Sequence, residues 1–185
     1  MFDRLANLAF RQDWQNPQIT RQDAFDLTRS VSTPREAIQC YVAICAWGAG
    51  PRAWLVGRRA RVLRENKDVG ERLLAEMLLA ENPVASYIEF RHGGENRLLH
   101  LGPAFFTKII YFAAYDEHVL LNPLILDRYV AAAIRDIADL GWPRTWNWTA
   151  SQYEQYLMVA MDWAAKWDSQ PDVVEKTLFR HGQSL

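Results

Sequence analysis

Lys108 sits among the apolar residues Phe105, Phe106, Ile109, Ile110 and Phe112, and Asp127 stands nineteen positions further on, directly before the stretch RYVAAAIRDIADL. An ammonium among such neighbours is partly desolvated, which disfavours its charged form, lowers its pKa and frees the amine as a nucleophile or Schiff-base former. The ordinary alternative for a lysine on an apolar helix is to bury its stem and extend its charge to water. Asp127 also has an ordinary reading, as the N-cap of the helix it precedes. A cap does not exclude a second role, because a carboxylate has two oxygens.

The elements that must position this pair can be read on either side of it. Gly102-Pro103 is a breaker pair following Leu99 and Leu101, and the apolar spacing beyond it predicts a helix that is apolar around most of its girth. The segment Tyr115-Asp116-Glu117-His118 is the turn expected to bring Asp127 back towards Lys108.

The string LGPAFFTKIIYFA followed by PLILDRYVAAAI resembles the helix-hairpin-helix DNA glycosylases, and within them the bacterial 8-oxoguanine DNA glycosylase-like (OGG-like) proteins. The resemblance is specific over the segment 98–127 and extends more loosely along most of the chain. It implies an all-α fold with one compact domain over 1–185, Gly102 in a DNA-contacting hairpin, and Lys108 and Asp127 as the catalytic pair. Two features depart from the family pattern. The usual hairpin has two glycines whose neighbouring amides approach a phosphate, whereas Leu101-Gly102-Pro103-Ala104-Phe105 has one glycine and a proline with no amide to donate. Where eukaryotic-type members hold a cysteine against the oxidised base, this chain has Phe112, which the resemblance therefore puts in the base pocket.

Composition bounds the remaining possibilities. A chain of 185 residues, half of them hydrophobic and eight of them Trp, has enough material for one full core and too little for two ordinary domains. No apolar run is long enough to span a bilayer, and MFDRLANLAFRQDW lacks the apolar centre of a secretory signal, so a cytoplasmic protein without membrane contact is expected. Cys40 and Cys45 are five apart on one expected helix, a spacing that suits neither a metal site nor a disulfide, and no histidine pair has metal-ligand spacing. No metal and no cofactor are expected. Net charge is −1, yet between Arg52 and Lys67 six basic residues face one acid, Glu65, which makes a local basic face.

The rest of the chain reads as helices. A first amphipathic helix is expected over 2–12 and a second over 20–29. Thr33-Pro34-Arg35-Glu36 is a capping box with Pro at the first helical position, opening a core helix expected to stop at Gly48. The loop Trp47-Gly48-Ala49-Gly50-Pro51-Arg52 then leads to the basic helix carrying Arg58, Arg59 and Arg61. By order of elements this loop matches the one that wedges into the duplex in related glycosylases; the alternative is a glycine cap followed by a solvated basic face. Asp68 to Glu71 and Thr149 to Gln152 read as further capping boxes, 91–96 as a lid or a connector, and the final helix as closing at Gly182. Tyr153, Tyr156, Trp163 and Trp167 share one broad helix face that either packs in the core or stacks on an extruded base.

What the resemblance implies is a bifunctional DNA glycosylase/AP lyase of base excision repair, acting on duplex DNA that holds 8-oxoguanine or a related purine. Trp47, Arg52, Arg58, Arg59, Arg61 and Gly102 would contact the DNA. Two other readings are an OGG-like component of an antiviral defence cassette, working with other cassette proteins, and a noncatalytic nucleic-acid-binding module.

Overall fold

The computed structural model describes residues 19–49, 53–91, 93–115, 121–138, 140–144 and 146–185, with the side chains of 49 and 53–56 left aside. The described residues form helices α1 (Arg21–Thr28), α2 (Pro34–Ala49), α3 (Ala53–Glu65), α4 (Val69–Leu79), α5 (Pro83–Phe90), α6 (Pro103–Ala114), α7 (Arg128–Ile137), α8 (Ala150–Lys166) and α9 (Pro171–Ser184). The all-α expectation is met. The helix expected over 2–12, the tip Gly50–Arg52 of the wedge loop and the turn at 116–118 lie outside the described residues.

Most helix starts follow from local chemistry. Thr20 with Asp23 and Thr149 with Gln152 form complete capping boxes, in which each side chain satisfies an amide the helix leaves unpaired. Thr33 and Glu36 do the same, with bonds of 3.3 and 3.1 Å. Asp68 departs from the expectation: its backbone is left-handed (φ 51°) and its side chain caps nothing, so the turn at 66–68 rather than a capping box opens α4. The core helix α2 also runs past Gly48 to Ala49, because a single glycine lowers helix propensity without forbidding the conformation.

Helix α6 is the centre, burying every residue from Phe106 to Phe112. It packs against α1, α2, α4 and α5, while α9 closes the other side against α7 and α8. The α7–α9 contact depends on Gly182, which lies inside α9 instead of ending it. A Cβ there would stand 1.9 Å from the Tyr129 carbonyl oxygen, so only glycine lets these two backbones approach so closely.

The buried segment before Asp127 is pinned at three backbone groups. Tyr153 and Tyr156 hydroxyls donate to the carbonyls of Leu124 and Ile125 at 3.0 and 3.1 Å, and the Leu126 amide donates to Thr107 Oγ1 at 3.1 Å. Both tyrosines are fully buried, so these two rings of the α8 face pack and position the segment. Thr107 is the residue before Lys108. The pin therefore ties the helix that carries Lys108 to the segment that ends at Asp127.

One buried carboxylate lies away from that centre. Glu76 is wholly buried and accepts hydrogen bonds from Ser86 and Asn96, yet burial still pushes its pKa up to about 7. A carboxyl raised in the folded state contributes stability that is full below its unfolded pKa and is lost as pH rises through the folded value. Glu76→Gln is therefore expected to gain stability relative to wild type between pH 5 and pH 8, by up to about 3 kcal/mol. Chemical denaturation at both pH values checks it; a constant difference would mean that Glu76 stays ionised throughout.

Candidate active site

Lys108 lies on the inner face of α6 and is 8% exposed, its little remaining surface facing the cleft it lines. Its ammonium donates to the Ala104 carbonyl one turn back, at 2.7 Å, and stands 5.3 Å from the Phe105 ring centroid. Burial lowers its pKa, the charges of Asp127, Glu175 and Cys45 oppose that, and Arg59 adds to it. The desolvation wins. The amine is poised towards its neutral, nucleophilic form.

The stem of Lys108 lies against Gly48 on α2. A Cβ at Gly48 would stand 3.1 Å from both Cδ and Cε of the lysine, so the missing side chain makes the space through which the amine reaches the cleft. Gly48→Ala favours the α2 helix by roughly 0.5–1 kcal/mol while displacing the Lys108 stem by a few tenths of an ångström. We expect unchanged or slightly higher thermal stability with about a tenfold slower reaction of any substrate with the Lys108 amine, since small misplacements at a reacting atom are costly. A single-turnover rate equal to wild type would show that the stem has room to spare.

Asp127 is the N-cap of α7, as expected. It accepts from the amides of Tyr129 and Val130 at 2.9 and 3.1 Å, both through Oδ1. Capping engages one oxygen. Lys108 and Asp127 line the same cleft of about 1020 Å³, large enough for a nucleotide.

The other residues singled out in the sequence divide. Gly102 lines the cleft as the N-cap of α6, but its backbone is extended (φ −99°); the left-handed position of the turn is held by His100 (φ 69°). Arg58 is exposed at the cleft. Arg59 also lines the cleft but is buried on the inner side of α3, stacked 3.8 Å from the Phe105 ring centroid and donating to the His100 carbonyl, so it is not part of a solvated basic face. Arg61 is on the outer surface, tied to Glu65 at 2.8 and 3.2 Å, and does not line the cleft. Trp47 stands in the last turn of α2, not in a loop, and meets Phe112 edge-on at 4.9 Å while facing the cleft. Phe112 itself is in the core, among Phe25, Trp47 and Tyr111, and does not line the cleft, whereas Phe105 does. Arg52 lies outside the described residues.

Among the cleft residues that were not anticipated are Glu175 and Arg21. Glu175 is 5% exposed and is held by Arg21 at 3.1 Å; Arg21 also reaches Asp172 at 3.3 Å and lies over the Tyr111 ring. Burial pushes the Glu175 carboxyl up to about 7, opposed by Arg21 and Lys108 and reinforced by Asp127. The sequence carried one signal for it. Glu175 interrupts the apolar stripe of Pro171, Val174 and Leu178, where a charge must find a buried partner.

Lys108 thus lines an open-mouthed cleft together with Asp127, the cap of α7. The family described as "Putative 8-oxoguanine DNA glycosylase OGG-like protein" matches residues 2–179. The chain belongs to this OGG-like family. Searches of curated proteins and of solved structures return no match. For an OGG-like protein the substrate class is DNA, and the cleft's cationic lining, with Arg58, Arg128, Lys176 and Arg180 around Lys108, suits a polyanion. Among the described residues no helix is long and apolar enough to cross a membrane.

Proposed function

We propose that the protein is a bifunctional DNA glycosylase and AP lyase that removes 8-oxoguanine or a related modified purine through a Schiff base on Lys108. The observation that carries this reading is the desolvated Lys108 amine in a cleft shared with Asp127. A base inside a duplex is out of reach, so the nucleotide is extruded into the cleft at a cost of a few kcal/mol. The Phe105 ring, stiffened by the Arg59 guanidinium stacked on it, offers an aromatic face to the extruded base.

Neutral Lys108 then attacks C1′ of the deoxyribose and the N-glycosidic bond breaks, the electron pair leaving with the base. Asp127 stabilises the positive charge that develops on the sugar. Opening of the sugar ring, with a proton passing to its oxygen, gives the protonated imine. Loss of the C2′ proton and departure of the 3′ phosphate complete the lyase step. Glu175, with its raised pKa, is placed to exchange a proton with the departing base or with the amine.

The test is borohydride trapping. Wild-type protein incubated with duplex DNA holding an intact 8-oxoguanine should give a covalent protein–DNA adduct, because reduction fixes the imine. Trapping at abasic sites alone would not support base excision, since incidental amines also condense with an exposed aldehyde.

A further inference from the structure

A second groove opens beside the catalytic cleft. Its volume is about 810 Å³, and it lies between α7, the loop that leads to α8 and the end of α9. The two spaces share Arg128, Tyr129, Trp146 and Trp148 in their walls, so they are neighbours along one surface. Arg135 and Arg144 line the second groove further out, and among the described residues the one acidic side chain in the lining, Asp136, is held by His181 at 2.6 Å. The lining is therefore cationic.

The shared wall carries an aromatic ring in an unusual position. Trp146 is 67% exposed, whereas Trp142 and Trp148 on either side are 5% and 1% exposed. Both neighbours are tied down: the Trp142 indole N–H donates to Gln155 at 3.3 Å, and the Trp148 carbonyl accepts from the Tyr87 hydroxyl at 2.9 Å and from Arg91. The loop is anchored by two buried indoles and presents the third to solvent. An exposed indole beside guanidinium groups is the combination that holds a nucleic-acid strand, with bases stacked on rings and phosphates neutralised by cations.

We propose that this groove binds the DNA strand adjoining the extruded nucleotide, with one base stacked on Trp146 and its phosphates on Arg135 and Arg144. The assignment rests on the reading of the Lys108 cleft as the nucleotide pocket, and it adds a strand path along α7, away from the α3 face. Arg128 joins the two spaces: exposed, it lies 4.4 Å from the Tyr129 ring centroid and donates to the Tyr129 hydroxyl, which fixes its guanidinium at the border. A phosphate there would link the extruded nucleotide to its neighbour.

The experiment measures binding of a fluorescein-labelled oligodeoxythymidylate twelve-mer by anisotropy over a series of potassium chloride concentrations. Each cation that meets a phosphate of a single strand contributes about 0.7 to the slope of log K against log salt. Arg135→Ala/Arg144→Ala should lower that slope by about 1.4, and Arg144→Ala alone by about 0.7. Trp146→Ala should weaken binding roughly tenfold at every salt concentration with the slope kept, and Trp146→Phe should restore most of the affinity. Lys166→Ala, an exposed cation outside the groove, should change neither.

Unchanged affinity and slope in the arginine variants would overturn the proposal, as would a Lys166→Ala effect of the same size, which would mark a diffuse charge effect. Inorganic phosphate displacing the oligonucleotide at equal phosphate concentration would overturn it too, leaving only a small-anion site. The two readings fail separately. Trapping by Lys108 with wild-type binding in the groove variants defeats the groove alone, whereas weakened binding in those variants without any trapping defeats the glycosylase reading alone.

Discussion

Lys108→Gln is expected to fold, to bind DNA and to form no borohydride adduct, with excision reduced on the order of a thousandfold or more. Glutamine keeps a polar N–H that can still donate to the Ala104 carbonyl, but its amide nitrogen has no basic lone pair and cannot form an imine. Stability should hold or rise, because the wild-type structure buries an ammonium whose desolvation is only partly offset by Asp127 and Glu175. Loss of the adduct with an unchanged or higher melting temperature therefore separates a chemical role from a structural one. An adduct that survives in the Gln variant would make another amine the nucleophile. No adduct from folded wild-type protein with any lesion would favour the binding-module or defence-cassette readings.

The parts of the site that were legible in the sequence are those set by neighbours along the chain. Asp127 reads as a cap because its acceptor sits beside the amides it satisfies, and Lys108 stands out because its own helix is apolar. Facing and partnership across the fold were not legible. Arg59 looked equivalent to Arg58 and Arg61, but packing turned it inward onto Phe105, while Arg61 paired with Glu65 one turn away. Phe112, four residues after Lys108, points into the core rather than the cleft, and the ring of this helix that lines the cleft is Phe105, three residues before the lysine. The Arg21–Glu175 pair joins residues 154 positions apart, a contact that no local pattern encodes. Trp47 missed its expected loop for a simpler reason. Helix α2 continues through Gly48, and the absence of a side chain there serves the lysine stem rather than a helix stop.

Asp127→Asn should lose roughly two to three orders of magnitude in excision rate while keeping nearly all of the stability, whereas Asp127→Ala should lose activity and about 1 kcal/mol of stability together. Asparagine can still accept from the Tyr129 and Val130 amides, so the start of α7 survives the loss of charge. The sign of the effect on the lysine makes this a sharp test. The Asp127 charge raises the Lys108 pKa, so removing it lowers that pKa further and leaves more neutral amine at neutral pH. If supply of neutral amine limited the reaction, the Asn variant would be faster than wild type. A slower Asn variant instead places the contribution of Asp127 in the charge that develops on the sugar as the glycosidic bond breaks. Single-turnover excision and thermal melting on the same preparations separate the outcomes: equal loss of stability in both variants, with activity falling only in proportion to unfolded protein, would leave Asp127 as a helix cap and nothing more.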